Sequence, residues 1–434
     1  MELDTRAQLP TEGPQTWKLT LIFQVEHGFS CNVKPMDAGR FVDSPFGQPR
    51  REPGNKWAFT YYLPKPIPRQ LPLSDEVVVA MSDADASLGH LQGLGMVITD
   101  PSLLIGPYLR REALASSRIE GTQASLSEIY QSEVDATARD DDTEEVRRYL
   151  EATELAYKLA KSLPITQRLV LQVHEVLLRG VRGEEKNPGE LRTSPVWVGR
   201  AGATPESAAF VPPLPGHLGE LMRDWEYFVN EDGKHLPALI QAALMHYQFE
   251  TIHPFLDGNG RIGRLLINLL LMDRGRLPMP LLYLSSYFEA YRQTYYDRLQ
   301  AVRETGDIDG WLRFFLEAVK SQATDAVVRS RALVAIREAY LSEAIQTRSS
   351  LPALVELVTR TPVVTVKSVQ TATNLTNQGA RALIRAAESR GWLQSIGTRG
   401  RGGREFWVAP RVLDVMDAPM SYTRDDSPPE VTAS

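Results

Sequence analysis

One stretch decides how the rest of this 434-residue chain is interpreted: His253-Pro-Phe-Leu-Asp-Gly-Asn-Gly-Arg-Ile-Gly-Arg264. Pro254 and the first two glycines disfavour a helix interior, so the first half of the stretch is predicted to be a loop. From Arg261 onward the chain is apolar nearly all round, which indicates a buried helix that begins near Gly260. Free N–H groups and the helix dipole attract anions at such a helix start, so we expect an anion-binding site there.

The side chains of this stretch supply a base, a metal ligand and two cations. His253 has an ordinary pKa of about 6.5, so it can accept a proton from a hydroxyl near neutral pH. Asp257 offers a hard oxygen ligand, and one carboxylate together with phosphate oxygens is how Mg²⁺ is usually held. Arg261 and Arg264 stand on one face of the helix and can reach the same polyphosphate. The set favours a site for a nucleoside triphosphate and a hydroxyl nucleophile.

Two other phosphate-binding motifs fit the glycines but not their surroundings. Gly258-Asn-Gly-Arg-Ile-Gly263 satisfies the G-x-G-x-x-G dinucleotide pattern, which requires a preceding strand and an acidic residue about 20 positions later. The preceding residues, 237–249, have helical periodicity, and Leu277-Pro-Met-Pro280 offers no carboxylate. No Gly-Lys-Ser/Thr follows the glycines, so the chain also lacks a P-loop at this point.

Residues 253–264 match, position for position, the H-P-F-x-[DE]-G-N-G-R-x-x-R signature, and the chain therefore resembles the Fic-domain family. The resemblance implies an all-α fold with a helical Fic core, and transfer of AMP from ATP to a Ser, Thr or Tyr hydroxyl of a target protein. It implies that His253 is the base and that Asp257 holds Mg²⁺. The residues it implies for ATP and phosphate binding are Gly258, Asn259, Gly260, Arg261, Ile262, Gly263, Arg264, Thr251 and Tyr287, the last by stacking on adenine.

A second motif lies upstream, at Ser116-Ser-Arg-Ile-Glu120-Gly121. It resembles the [ST]-x-x-x-E-[GN] inhibitory motif that some Fic proteins carry on a helix before the core, with Ser116, Glu120 and Gly121 as the inhibitory residues. Glu120 is expected to form a bidentate pair with Arg264 and so to occupy the cation that the γ-phosphate needs. The alternative is an ordinary helix carboxylate that pairs with a nearby arginine, such as Arg111 or Arg118.

Residues 195–213 are predicted to form a flap. They contain two short β-prone runs, Pro195-Val-Trp-Val-Gly199 and Ala208-Ala-Phe-Val-Pro-Pro213, with a polar turn between them, and this pattern predicts a hairpin. In Fic proteins such a flap lies over the active site and aligns the target segment as an added strand, so the resemblance implies that a target protein docks here. Trp197 and Phe210 have a second interpretation, as anchors of the hairpin on the core.

Composition adds few constraints. The content of 43% hydrophobic and 24% charged residues is ordinary for a globular protein, and the net charge of −6 gives no overall attraction to nucleic acid. Cys31 is the only cysteine, so no disulfide can form within the chain, and no carboxylate or cysteine completes a zinc site around His246. No apolar run approaches the roughly 20 residues of a membrane span, and the N-terminus lacks a signal-peptide pattern. A cytoplasmic protein without membrane contact is expected.

Six segments are predicted along the chain. They are a poorly structured N-terminal segment (1–56, with a true start expected at Met36), an N-terminal helical domain with the inhibitory motif (57–140), the Fic core with its flap (141–306), connecting helices (307–350), a winged helix (351–411) and a disordered tail (412–434). The core is placed at 141 because Asp142-Thr-Glu-Glu145 resembles a capping box. That box would begin a helix with Val146, Tyr149, Leu150 and Thr153 inward.

The predicted winged helix differs in charge from the rest of the chain. Two short helices meet around Asn374–Thr376, and Gln394 to Ala409 is predicted to be a hairpin with a basic glycine-rich tip. Residues 360–411 contain eight Arg and one Lys against two Glu, a local net charge of +7. Such a charge pattern is typical of a DNA-binding module. The alternative is a winged helix used only for protein contacts or for a homodimer.

These observations favour an autoinhibited protein adenylyltransferase that uses ATP and Mg²⁺. Two alternatives stay open. In the first, the enzyme removes AMP from a modified target, and Glu120 orients a water molecule. In the second, the chain is a DNA-binding regulator whose Fic core senses a nucleotide. An intact His253 argues against this second alternative, because binding ATP alone does not require a base.

Overall fold

A computed structural model describes residues 38–51, 59–97, 102–135, 139–199, 202–277, 279–399 and 403–419. The predicted start at Met36 and the last part of the predicted tail lie outside these residues. The described chain is mostly helical with small antiparallel sheets, which confirms the predicted fold class. Its elements are β1 (Gly47–Arg51), β2 (Thr60–Pro64), α1 (Asp75–Val97), α2 (Ser102–Ile119), α3 (Leu126–Val134), α4 (Asp141–Ala160), α5 (Gln167–Leu178), α6 (Leu218–Asn230), α7 (Ala238–Ile252), α8 (Asn259–Asp273), α9 (Ser285–Ala290), α10 (Arg292–Thr305), α11 (Ile308–Ile345), α12 (Leu351–Arg360), β3 (Val363–Thr365), α13 (Val366–Thr373), α14 (Asn377–Glu388), β4 (Gln394–Arg399), β5 (Arg404–Val408) and α15 (Pro410–Asp417).

Helices α7 and α8 form the centre of the fold. Every side chain of α7 after Ala238 is buried, and α8 is buried from Asn259 to Leu271. The two helices pack against each other, as expected for sequences that are apolar nearly all round. Full burial of a Leu- or Phe-sized side chain contributes about 1.5–3 kcal/mol, so this pair gives a stable base to the loop that joins it.

The helices around this centre begin and end near the predicted positions. The region predicted as one or two connecting helices is a single helix, α11, which packs along α1; the Asp307 side chain accepts a hydrogen bond from the Gly310 N–H (2.9 Å) and caps it. Helix α4 is capped by Asp140, two residues before the predicted position, because the Thr143 hydroxyl completes the capping box. No helix in the described ranges is long and apolar enough to cross a membrane.

The N-terminal segment is more ordered than predicted. Residues 1–56 were expected to be poorly structured, but β1 pairs antiparallel with β2. Phe41 and Tyr62 are buried together with Phe210 in a small apolar cluster of their own. The Pro- and Gly-rich composition hid this strand because its partner β2 packs on the flap through Tyr62 and Phe210, which lie 148 residues apart in the chain.

The flap, residues 195–213, is less regular than the predicted hairpin. Among its described residues, the two runs are joined by an antiparallel bridge between Val198 and Phe210, with N–H to carbonyl distances of 2.8 and 3.2 Å. The Trp197 indole N–H donates to the Ala203 carbonyl (2.8 Å), and the Phe210 ring lies under the Arg303 guanidinium (3.8 Å). Both aromatic residues therefore anchor the flap on the core.

Residues 351–417 form a C-terminal unit that packs against α2, α3 and α11. Strands β3, β5 and β4 make an antiparallel sheet in that order, and α12, α13 and α14 pack beside it. The predicted helix pair is present: Asn374 ends α13 in the left-handed conformation, and the Thr376 side chain caps α14. Helix α15 shows that the predicted disordered tail, 412–434, is helical at its beginning. Arg404 of the unit pairs with the buried Asp135 carboxylate at the end of α3 (2.9 Å).

Candidate nucleotide-binding site

The loop between α7 and α8, residues 253–258 (the motif loop), reverses the chain in two left-handed steps. His253 ends α7 with φ 50°, and Gly258 begins α8 with φ 78°. The Asn259 side chain closes the loop, because its Oδ1 accepts from the Phe255 N–H (2.8 Å) and its Nδ2 donates to the Phe255 carbonyl (3.0 Å). The Asn259 amide is thus committed to the loop. Any anion contact from this residue comes from its backbone N–H.

Three backbone N–H groups at the start of α8 are not used by the helix. The first helical hydrogen bond runs from the Ile262 N–H to the Gly258 carbonyl (3.0 Å). The N–H groups of Asn259, Gly260 and Arg261 precede it and have no partner within α8. They provide the predicted anion-binding helix start.

His253 is a buried, neutral base. The pKa of its imidazole is lowered to about 3, chiefly by burial and then by the positive charges of Arg192 and Arg303, although Glu120 acts in the opposite direction. The ring is hydrogen-bonded to the backbone carbonyl of Glu250, so one ring nitrogen carries the proton. The other nitrogen is an acceptor at neutral pH. This is the protonation state that a general base requires.

Arg264 is fully engaged by the segment that precedes α3. Its Nε donates to the Ser116 hydroxyl (2.9 Å), and its Nη2 donates to the Ser116 carbonyl (2.8 Å) and to the Glu120 Oε1 (2.8 Å). Burial alone would raise the pKa of Glu120, but Arg264, with Arg261 and Arg292, outweighs it and holds that pKa below its usual value. Arg264 and Glu120 are therefore an ionised buried pair.

The alternative partners for Glu120 are occupied elsewhere. Arg111 donates to Asp325 (2.6 Å), and Arg118 donates to the Ala124 carbonyl (2.8 Å). The Glu120 carboxylate instead lies directly over Gly260, where an added Cβ would collide with it and with the Arg264 guanidinium. The inhibitory residues thus cover the first turn of α8.

Arg261 has a different environment. Its side chain is 1% exposed, and its Nη2 donates to the Asp257 Oδ1 (3.2 Å), while its Nη1 lies 3.9 Å from the Glu145 Oε2. Its Nε and Nη1 have no hydrogen-bond partner among the described residues. Buried guanidinium donors are almost always paired, so these two atoms indicate a position for an anion.

Glu145 connects this arginine to the inhibitory turn, residues 120–122. Its carboxylate accepts from the Thr122 hydroxyl (2.9 Å) and pairs with Arg182 (3.0 Å), whose Nη2 also reaches the Glu120 carbonyl (3.4 Å). From the sequence, Glu145 was placed only at the start of a helix, because its partners come from three separate segments. The contact between Thr122 and Glu145 holds the turn beside the phosphate-binding residues.

Two family models match the part of the chain that forms this site. Residues 164–271 match the model of the Fic/DOC family, and residues 78–158 match the model of the Fic/DOC family N-terminal region. The chain carries a Fic domain. The first match contains the motif loop and most of α8, and the second contains Ser116 and Glu120.

Curated relatives that match part of this chain are named "Protein adenylyltransferase Fic". The relative from Drosophila grimshawi is 35% identical over 43% of this chain and 35% of its own length, and the relative from Aedes aegypti is 38% identical over 36% of this chain and 28% of its own. The chain thus spans about a third of the length of these relatives. A Fic family protein from Desulfovibrio desulfuricans G20 has a similar fold, with a TM-score of 0.51 and 20% identity over 79% of this chain and 98% of its own.

Some residues predicted for the nucleotide site of the Fic domain lie elsewhere. Tyr287 has no exposed surface, and its ring packs on Tyr291 (4.7 Å between centroids) and Phe314 (5.4 Å), so stacking on adenine is not supported. The Thr251 hydroxyl accepts from Arg303 Nε (3.2 Å) inside the core. Ile262 is buried with its N–H in the helix, and Gly263 faces Glu250 one turn below the anion site.

His174 is a functional candidate that the sequence did not reveal. Its Nε2 is 2.9 Å from the Asp257 carbonyl, its Nδ1 accepts from the Gly189 N–H (2.9 Å), and its ring stacks on Phe255 (3.7 Å between centroids). Burial lowers the pKa of His174 to about 4, so the ring is neutral and donates through Nε2. His174 therefore holds the motif loop in place through its contacts with Asp257 and Phe255. The sequence offered no signal for this role, because its partners are backbone groups.

The fit of Mg²⁺ rests on Asp257 alone. In the described ranges no three His, Cys, Asp or Glu side chains form a metal-binding group. The Asp257 side chain is 20% exposed, and its Oδ1 accepts from the Gly258 N–H (2.5 Å) and from Arg261. One partly exposed carboxylate beside an anion site suits an ion that takes most of its ligands from phosphate and water.

Proposed function

We propose that this protein is an autoinhibited protein adenylyltransferase that moves AMP from ATP to a Ser, Thr or Tyr hydroxyl of a target protein. The observation that carries the proposal is a neutral, buried His253 beside a helix start with two arginines, one of which is held by Glu120. The printed names of the curated relatives support the activity. The family resemblance supplies ATP as the donor.

The proposed step is an in-line displacement. The target hydroxyl oxygen attacks the α-phosphorus of ATP while its proton moves to the free ring nitrogen of His253. The bond from the α-phosphorus to the bridging oxygen breaks, and pyrophosphate leaves. Arg261 and the backbone N–H groups of Asn259 and Gly260 stabilise the charge on the phosphates. Asp257 would hold Mg²⁺, which supplies further charge neutralisation when bound.

Autoinhibition follows from competition for Arg264. A γ-phosphate needs the guanidinium that Glu120 and Ser116 occupy. Arg261 remains available, so ATP can still bind, but without Arg264 its α-phosphate is not aligned for attack. Weak activity of the unmodified chain is therefore expected.

The test is autolabelling with [α-³²P]ATP and Mg²⁺. Wild type, Glu120→Gly and Glu120→Gly/His253→Ala are compared at equal concentration. Strong labelling of Glu120→Gly, reduced about 10²- to 10⁴-fold in the double variant, is the expected result. Equal labelling of wild type and Glu120→Gly would remove the inhibitory role and keep the transferase.

Two controls separate the remaining readings. No label in any variant, with a panel of protein targets present, would reject the transferase proposal. Release of AMP from pre-modified protein by wild type, lost in Glu120→Gly, would favour the alternative in which the enzyme removes AMP.

A second candidate function, DNA binding, has one observation in its favour. We interpret the C-terminal unit as a winged helix, and its helix α14 presents Arg381 and Arg385 on an exposed face. Arg381 is only weakly neutralised by Glu405 (3.3 Å). Phosphate contacts made by these arginines would show as salt-dependent binding.

This candidate is tested by DNA-binding titrations at several salt concentrations. The slope of log K against log[salt] is negative, and Arg381→Ala/Arg385→Ala should reduce its magnitude by about 1.8, because each of two lost phosphate contacts contributes about 0.9. Arg348→Ala removes an exposed arginine outside the unit and is the matched control. An unchanged slope in the double variant would leave α14 without this role.

A further inference from the structure

Arg192 is a buried cation without a carboxylate partner. It is 2% exposed, and no ion pair in the described part of the chain includes it. Its side-chain partners are all backbone carbonyls: those of His253 (2.8 Å from Nε), Ile252 (3.3 Å from Nη2), Pro213 (2.5 Å from Nη2) and Ser194 (3.3 Å from Nη1). Its own N–H donates to the Pro254 carbonyl (2.9 Å).

These carbonyls belong to two parts of the protein, the motif loop and the flap, which must both be in place for the proposed reaction. Ile252 and His253 form the end of α7 and the start of the motif loop, while Ser194 and Pro213 bound the flap on either side. A planar guanidinium donates in several directions at once, and a lysine ammonium cannot reproduce that fork. Arg192 is thus the point at which the flap is tied to the loop that carries the base.

The cost of this arrangement argues against a packing role. Burial lowers the pKa of Arg192 to about 9, because no anion compensates the loss of water. An apolar side chain would fill the same space without that desolvation penalty. Neither packing nor an ion pair therefore explains why an arginine occupies position 192.

The contact with His253 explains what the guanidinium does. His253 is one of the few non-glycine residues in the described chain with a positive φ (50°), a conformation that persists only when its surroundings impose it. Arg192 binds the carbonyls on both sides of this strained residue's N–H, at positions 252 and 253. The charged groups that face the His253 ring are Arg192, Arg303 and Glu120.

We propose that Arg192 is a positioning residue for the reaction: it fixes His253 in its strained conformation and couples the base to the flap. The inference rests on the proposed adenylyltransferase function. Arg192 does not touch the reacting atoms. It acts through His253, whose ring must point at the target hydroxyl while the flap holds the target chain.

The test uses Arg192→Lys and Arg192→Met in the full-length Glu120→Gly background. Arg192→Lys keeps the charge and loses the fork, so kcat should fall at least tenfold with little change in the KM for ATP. Its pH profile should keep the position of its acid limb. Arg192→Met loses both properties, so kcat should fall further and the acid limb should move to higher pH, because removing a nearby positive charge raises the pKa of His253.

Arg329→Lys is the matched control. Arg329 is also a buried arginine that donates to backbone carbonyls, those of Val415 and Ala418 of the α15 region, but it differs from Arg192 in that it also pairs with a carboxylate, that of Asp325 (2.7 Å). Thermal unfolding of all variants shows whether the two Lys variants are folded to a similar degree. We expect Arg329→Lys to keep the kcat of its parent, which separates a specific effect on the base from a general loss of packing.

A second readout does not need activity. The pKa of His253 is followed by NMR in protein with labelled histidine, with Glu120→Gly/His253→Ala used to assign the signal. It should rise in Arg192→Met and stay within a few tenths of a unit in Arg192→Lys. A kcat of Arg192→Lys within twofold of its parent, or an unshifted His253 in folded Arg192→Met, would overturn the proposal. If Glu120→Gly itself transfers no label, the proposed function fails and the histidine titration alone decides the role of Arg192.

Discussion

The two arginines of α8 lie three residues apart on one helix, but their surroundings differ. Arg264 donates to Ser116 and Glu120 through its Nε and Nη2. Arg261 is equally buried, yet its Nε and Nη1 have no hydrogen-bond partner in the described part of the chain. One half of the phosphate site is therefore filled by the protein's own carboxylate, and the other half is arranged for an anion from outside.

The difference shows how one site can bind a nucleotide and still be restrained. Arg261 is held by Asp257, four residues before it, so its position is set within the motif. Arg264 is held by Glu120, 144 residues away in sequence, so its state depends on the position of α2. Under the proposed autoinhibition, a movement of α2 would release Arg264 without disturbing the motif itself.

Removing Glu120 should have the largest effect on stability. In Glu120→Gln the Arg264 cation stays buried without its counter-charge, and breaking such a pair typically costs about 3–5 kcal/mol of unfolding free energy. Chemical denaturation of wild type and variant without nucleotide measures the difference. Saturating ATP and Mg²⁺ should stabilise the variant more than wild type, because phosphate replaces the lost carboxylate. Equal stabilisation of wild type and variant would contradict the conclusion that the Glu120 carboxylate occupies a phosphate position at Arg264.

The stability gap should depend on pH in one direction. The pKa of Glu120 is lower in the folded protein than its usual value of 4.5, so its ionised form stabilises the fold above that value. The contribution is lost as pH falls through the lowered pKa. The gap between wild type and Glu120→Gln should be constant from about pH 6 to 8 and narrow below about pH 4.5. A gap that widens on acidification would show that Glu120 is not held ionised by Arg264.

The loss of activity caused by mutating Arg264 should depend on whether Glu120 is present, whereas the loss caused by mutating Arg261 should not. In Glu120→Gly, Arg261→Ala and Arg264→Ala should each lower kcat/KM about 10- to 150-fold, because a charge-assisted hydrogen bond contributes about 1.5–3 kcal/mol. In wild type, Arg261→Ala should keep that effect, whereas Arg264→Ala should have little, since Glu120 already withholds this cation from ATP. Label transfer at varied ATP concentration measures both. Identical losses in the two backgrounds would mean that Glu120 does not mask Arg264.

The sequence was sufficient where short spacing determines geometry. The motif loop and the start of α8 follow from glycine positions, helix periodicity and a long signature. The pairing of Glu120 with Arg264 was predicted from the resemblance of residues 116–121 to a short inhibitory motif. It was insufficient for Arg192, His174 and Glu145, whose partners are backbone groups or residues of distant segments. Nothing in local pattern marks such contacts before the chain is folded.

The same limit explains the errors. Tyr287 lies in a run of aromatic residues that fits either a ligand contact or a core, and only the packing of α9 against α11 decides for the core. Strand β2 and the irregular flap pack on each other through Tyr62 and Phe210, with Phe41 in the same cluster, so neither could be judged from its own composition.

Thr251 gives the smallest and most discriminating test of where the phosphate site ends. The sequence assigned it to the nucleotide, but its hydroxyl accepts from Arg303 in the core (3.2 Å). Thr251→Val keeps the shape and leaves the buried Arg303 Nε without this acceptor, so the unfolding free energy should fall by about 1–3 kcal/mol. In the Glu120→Gly background the KM for ATP should stay within twofold, because neither Arg261 nor Arg264 touches this hydroxyl. A rise in that KM comparable to the effect of Arg261→Ala would show that Thr251 of α7 contributes to ATP binding. The phosphate site would then include residues beyond Arg261 and Arg264.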